Sequence, residues 1–183
     1  MNRDDALGEI RKNVTNENLV RHMIATEAIM RELARKMGED EEKWGLAGLL
    51  HDIDVEVTEG DMNSHGVVGS DMIRELDFDE DIARAVLAHN ETLGVPRESN
   101  LDKALFCADP LTGLITAAAL VRPEKKLEFV QAKSVRKRFK EKSFAAGASR
   151  EGIAACSEIG LELDEFIELG LKAMQGVAED LGL

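Results

Sequence analysis

Tyrosine is absent from this chain of 183 residues, and Trp44 with six phenylalanines supplies all of its aromatic content. So few flat rings leave little for stacking on a nucleobase, and none marks a particular base. The two cysteines, Cys107 and Cys156, cannot make a disulfide framework or a thiolate zinc site by themselves. Both lie in apolar helical contexts, so a reducing, cytoplasmic location is expected. The longest weakly polar stretch, Leu111 to Val121, falls short of the roughly 20 residues a membrane span needs, so no membrane partner is expected. The opening Met-Asn-Arg-Asp-Asp is charged with no apolar region behind it, and no secretory leader is expected. There is no repeat, low-complexity tract or Pro/Gly/Ser-rich linker to divide the chain, which is long enough to bury one core.

What is abundant is acid. The formal net charge is −13, with 44% hydrophobic and 32% charged residues, a globular composition that argues against a stable nucleic-acid partner. The charge is uneven. Arg122 to Lys142 carries nine Lys or Arg against three Glu. Such a basic island is either a solvated helix face or a strip facing the phosphate of a small substrate.

Period-2 alternation is nearly missing, whereas helical spacing recurs almost everywhere. Asn16 caps a helix to about Met37, stopped by Gly38. Asp40 caps the next, which runs to His51-Asp52. Val55 to Asn63 reads as a loop, and a third helix runs from Ser64 to about Leu76. Asp79 starts the fourth, Asp81 to His89. The fifth starts at Asn100 or Leu101 and is interrupted or kinked at Pro110, since proline lacks a donor and clashes with the preceding turn. A basic helix follows Pro123 to about Phe144, another starts at Ser149, and the last starts at Asp164. This predicts one all-α domain over residues 1–183, a helical bundle with its core at about 16–114 and a C-terminal helical extension at about 115–183.

The chain has four histidines, His22, His51, His65 and His89, all in its first half. His51 is followed directly by Asp52, behind an apolar run, so one backbone position can offer a metal both nitrogen and oxygen. His22 and His89 fall on the apolar faces of their helices, as does Asp109, at intervals of four from Leu101 and Leu105. A buried carboxylate is costly unless paired or bound to a cation. Each residue alone has an ordinary reading: a hydrogen-bonded core histidine, or Asp109 as a helix cap before Pro110. Together they describe an internal metal site.

The ordered set His22, His51-Asp52, His65, His89 and Asp109 resembles the HD superfamily, all-helical metal-dependent phosphohydrolases named for the His-Asp doublet. Leu-Leu-His-Asp-Ile-Asp at 49–54, His65-Gly66 with Gly69, and His89-Asn90 are similar to the branch with additional histidines. The likeness covers roughly Leu19 to Leu114. It implies one metal site from His22, His51, Asp52 and Asp109, and a second from His65 and His89, with Asp52 bridging. Asn90 stands where some relatives have a further histidine, and no Gly-Tyr-Pro follows, which argues against cyclic dinucleotide hydrolysis.

The expected cofactor is one or two divalent ions. Imidazole ligands favour iron or manganese, with zinc, nickel or cobalt compatible and magnesium less so. The expected activity is hydrolysis of a phosphate ester or anhydride, a nucleotide first, with symmetrical diadenosine tetraphosphate the first substrate to test. Asp52 is the expected catalytic carboxylate and Lys103 a candidate cation for the developing charge. Arg84, Arg136, Arg138 and Lys142 are candidates for holding substrate phosphate. Two other functions use the same ligands, a di-iron oxygenase and a non-catalytic metal-stabilised binding domain. Self-association of the chain is left open.

Overall fold

Asn2 opens the first helix of the computed structural model, which describes residues 2–183. Its side chain accepts from the Asp5 amide while the Asp5 carboxylate accepts from the Asn2 amide, a reciprocal cap that starts α1 (Arg3–Asn13). Sequence periodicity did not single out this helix, although its cap is written in Asn2 and Asp5. It docks through Arg3, whose Nε lies 2.7 Å from the buried Glu27 carboxylate.

Helix α2 (Glu17–Met37) is capped by Asn16 and closed by Gly38 at φ 72°, as expected. Helix α3 (Glu41–Leu50) is capped by Asp40 and lies against α2 at very short range. A Cβ on Gly48 would stand 2.9 Å from the Glu27 backbone, so only glycine permits that approach. The chain then turns through residues 51–65. Helix α4 begins at Val67, two to three residues later than expected, because His65 and Gly66 are held by Asp54 (below) and Gly66 adopts φ 85°. Helix α5 (Glu80–His89) follows from Asp79.

Helix α6 (Asn100–Leu120) corrects one expectation. It runs unbroken through Pro110, so Asp109 is a mid-helix residue and not a cap. Proline removes one donor, but α6 packs against α2, α3, α5, α7 (Ala132–Lys140), α8 (Arg150–Ala154) and α9 (Leu163–Gly176), and this burial holds the helix together. The Pro110 ring lies close to Gly152 of α8, where a Cβ would be 3.1 Å away. The start is set by a Ser99–Asp102 capping box. By length and composition α6 could cross a membrane, because Ala104–Ala108 extend the apolar run upstream of Leu111. Here it is the central core helix, with 61% of its most apolar window buried.

The basic segment is also less helical than expected, with a 3-10 turn at Leu127–Phe129 and an α-helix only over α7 (Ala132–Lys140). The rest of it, to residue 148, turns around Arg150. That guanidinium donates to the carbonyls of Arg138, Phe139, Glu141, Phe144, Ala145 and Ala148, and so converts a would-be helix into a loop. Helices α8 (Arg150–Ala154, capped by Ser149), α9 (Leu163–Gly176) and α10 (Ala178–Leu181) complete the chain. The fold is all-α: no strand occurs among the described residues. One continuous hydrophobic cluster runs from Ala6 to Leu181, with α9 on α2 and α8 on α6.

Candidate metal centre

Four helices and one turn deliver six side chains to one point. His22 comes from α2, His51 and Asp52 from the end of α3, His65 from the turn before α4, His89 from the end of α5 and Asp109 from the middle of α6. The Nε2 atoms of His22 and His51 are 3.1 Å apart, and those of His65 and His89 are 3.2 Å apart. Asp109 Oδ1 lies 3.1 Å from His22 Nε2 and 3.8 Å from His51 Nε2. Asp52 sits between the two histidine pairs. Its Oδ2 is 3.5 Å from His22 and 3.4 Å from His51, while its Oδ1 is 3.4 Å from His65 and 3.8 Å from His89.

The other nitrogen of every ring decides what these contacts mean. His51 Nδ1 donates to the Gly48 carbonyl at 2.8 Å, and His89 Nδ1 to the Val86 carbonyl at 2.5 Å. His65 Nδ1 donates to Asp54 Oδ1 at 2.8 Å. Thr112 Oγ1 spends its proton on the Asp109 carbonyl at 2.7 Å, so at 2.8 Å it accepts from His22 Nδ1. With all four Nδ1–H groups committed, each neutral ring turns an Nε2 lone pair inward. With all four rings neutral, four lone pairs and two carboxylates would face one another with no donor among them, so the array calls for added positive charge, a proton or a metal ion. Imidazole nitrogen with carboxylate oxygen is a donor set suited to a divalent metal. His22, His51 and Asp109 could hold one ion, as could His51, Asp52 and His89.

The electrostatics carry the same demand for positive charge. Burial opposes an imidazolium at His51, yet Asp52 and Asp109 outweigh it and push its pKa up to about 9. Burial also opposes ionisation of Asp52, but His51, His89 and His22 hold its carboxyl well below the usual range. Asp109 is likewise held well below that range against its burial, by hydrogen bonds to His22 and His51. His65 is raised despite burial, by its bond to Asp54 and the nearby Asp52.

Asp54 and Thr112 were not among the candidate site residues. Asp54 is fully buried, and besides His65 its carboxylate accepts the amides of Gly66 at 2.8 Å and Gly69 at 2.7 Å. Burial raises its pKa, but the His65 bond and the two amides bring the net value below the usual range. A Cβ on Gly69 would meet that carboxylate at 3.1 Å, which is why a glycine follows His65 at this spacing. The sequence signal was the second acid of His-Asp-Ile-Asp. Asn90 faces away from the centre and donates to the carbonyls of Met62 and His65, tying down the turn.

A cleft of about 340 Å³ opens on the centre between His22, Asp109, Pro110 and Gly113 on one side and Ala145–Ala148 on the other. The candidate cations are placed elsewhere. Arg84 pairs with Glu98 at 2.9 Å and lies 3.4 Å from Asp102. Arg136 pairs with Asp164 at 2.9 Å, and Arg138 with Glu141 at 2.6 Å. Lys103, on α6, is about 120° around the helix from Asp109 and makes no ion pair with the six residues. Lys142 is exposed on the loop that leads into Ala145–Ala148.

Comparison with known proteins places this geometry in a family. The HD domain family model matches residues 19–114, the stretch that holds all six side chains. Ribonuclease Y of Lawsonia intracellularis is 31% identical over 138 residues, 74% of this chain and 26% of that protein. Ribonuclease Y of Oleidesulfovibrio alaskensis is 32% identical over 108 residues, 58% of this chain and 20% of that protein. An uncharacterised protein of Methanocaldococcus jannaschii is 38% identical over 101 residues, 52% of this chain and 58% of that protein. The chain thus spans only about a fifth to a quarter of the ribonucleases it matches. With the family match over more than half its length and the histidine–aspartate centre inside that match, this chain belongs to the HD domain family.

Proposed function

We propose that the protein is a phosphohydrolase that uses two divalent ions, with Asp52 as their bridge, to cleave a phosphate ester or anhydride of a nucleotide. One observation carries this reading: the Nε2 atoms of four histidines, each with its Nδ1 already hydrogen-bonded, converge with two carboxylates, and Asp52 turns one oxygen to each histidine pair. His22, His51 and Asp109 would hold one ion, His65 and His89 the other. Bound ions of this kind supply a hydroxide near neutral pH and neutralise charge on a phosphoryl group. The imidazole-rich donor set favours iron or manganese and accepts zinc, nickel or cobalt.

The protein's own contribution is orientation. Gly48, Val86, Asp54 and Thr112 fix the four ring tautomers before any ligand arrives. The cleft over His22 and Asp109 gives a phosphate access to that face, and Lys142 is the member of the basic stretch on the bordering loop. The relatives named Ribonuclease Y support a phosphodiester among the substrates. The net charge of −13 favours a short nucleotide over a long polyanion.

The test pairs elemental analysis of metal-replete protein with phosphate release from mononucleotides, diadenosine tetraphosphate and short oligoribonucleotides. Two ions per chain with turnover of one of these classes is expected. Asp52→Ala should lose both ions, and retention of two would sink the bridging assignment. Oxygen uptake with an organic substrate and no phosphate release would replace this reading with the oxygenase one.

A further inference from the structure

A second cavity, of about 510 Å³, lies between α2, α6 and α10 and shares His22, Thr112 and Gly113 with the metal centre and its cleft. Most of its wall is apolar and small: Ala25, Ala117, Leu120 and Leu181, with Thr116 among them. Its volume falls within the roughly 300–1,000 Å³ typical of small-molecule sites, as does the pattern of an apolar wall with few polar groups. Arg21, the residue before His22, also lines it. Arg21 is exposed and, unlike Arg84, Arg136 and Arg138, pairs with no carboxylate among the described residues. Its guanidinium lies over Gly182, in the wall of the same cavity that reaches His22; an unpaired guanidinium there can take an anion, and its planar fork suits phosphate oxygens.

We infer that this cavity binds the nucleoside of a nucleoside phosphate, with Arg21 holding a phosphate oxygen next to the metal centre. The inference rests on the reading of the centre as a phosphohydrolase site and names the part of the substrate that site would recognise. The phosphate would sit where His22 and Asp109 border the cleft, and the sugar and base would extend along α6 past Thr116 and Ala117. The wall has no Phe, Tyr or Trp ring, so base recognition there would rest largely on shape and apolar contact. Arg21 is a binding residue in this scheme, and it escaped sequence reading because nothing in the local pattern tells a paired surface arginine from an unpaired one.

Two variants separate the parts. Ala117→Phe fills the cavity from a half-exposed position of α6, and Arg21→Gln removes the charge at constant size. Binding of the four ribonucleoside 5′-thiomonophosphates to the manganese-loaded protein is measured by calorimetry, alongside metal content, melting temperature and hydrolysis of bis-p-nitrophenyl phosphate. Wild-type protein should bind at least one of the four. Ala117→Phe should weaken that binding tenfold or more, and Arg21→Gln should weaken it about tenfold and flatten its salt dependence. Both should keep their metal. If Ala117→Phe fails to fold, Thr116→Phe tests the same wall. Wild-type protein that binds none of the four, or folded variants that bind as tightly as wild type, would overturn the inference. Nucleotide binding that both variants weaken, in a protein that hydrolyses no phosphate, would uphold the cavity and reject the phosphohydrolase reading instead.

Discussion

Replacing Asp54 by asparagine is the sharpest probe of how the centre is prepared. The native carboxylate accepts three hydrogen bonds: His65 Nδ1 on Oδ1 at 2.8 Å, and the amides of Gly66 and Gly69 on Oδ2 at 2.8 and 2.7 Å. An asparagine has one acceptor oxygen. Two backbone donors compete for it against one, so the oxygen should stay with Gly66 and Gly69 and turn the amide NH2 toward His65. His65 Nδ1 must then accept, which moves its proton to Nε2 and aims it at His89 and Asp52. The lone pair that faces inward is lost. Removing a carboxylate that orients a metal-binding histidine typically costs about 10- to 100-fold in metal affinity. Losing a charged, buried hydrogen bond costs about 1.5–3 kcal/mol of folding stability. Competition titration against a chelator should show the ion at His65 and His89 weakened by that factor and the ion at His22, His51 and Asp109 changed little. Nitrogen chemical shifts of His65 in zinc-loaded protein should report the altered tautomer. Unchanged affinities together with an unchanged His65 tautomer would refute the reasoning.

Metal affinity should depend on pH through His51. In metal-free protein its pKa of about 9 lies above the ordinary imidazole value of 6.5, so stability from its pairs with Asp52 and Asp109 is full below about 6.5 and is lost as pH rises through about 9. A metal ion displaces that proton, so apparent affinity should climb about tenfold per pH unit between those values and level off above them; equal affinities at pH 7 and 9 would contradict this. Chelation should lower the melting temperature, because a metal that binds only the folded chain stabilises it by mass action; a melt unchanged after verified metal removal would show that the centre is satisfied otherwise. Gly48→Ala should destabilise by about 1–3 kcal/mol, since its Cβ would meet the Glu27 backbone at 2.9 Å and backbone cannot swing aside. Denaturant midpoints would measure this, and a loss under about 0.5 kcal/mol would mean that α2 and α3 separate easily.

Much of this protein is written in local pattern. Helix formation depends on spacing and caps within a few residues, so Asn16, Asp40, Asp79 and Ser149 mark real starts and Gly38 a real stop. The six centre residues were legible for a related reason: polar side chains on apolar helical faces have few ordinary uses, and their order in the chain is specific. What lay beyond the sequence was direction and partnership, which depend on groups far apart in the chain. His22 is oriented by Thr112, 90 residues away, and Asp52 lies between the two histidine pairs because the elements that carry them arrive on opposite sides of it. Pro110 fails to break α6 because surrounding helices bury that helix. Phe144 lies outside α7 because Arg150 gathers the carbonyls of the intervening turn. A local pattern can say which residues are able to bind a cation, but the competition among distant partners settles which do. That competition leaves Arg136 tied to Asp164 and Arg21 at the edge of a cavity with no carboxylate partner among the described residues.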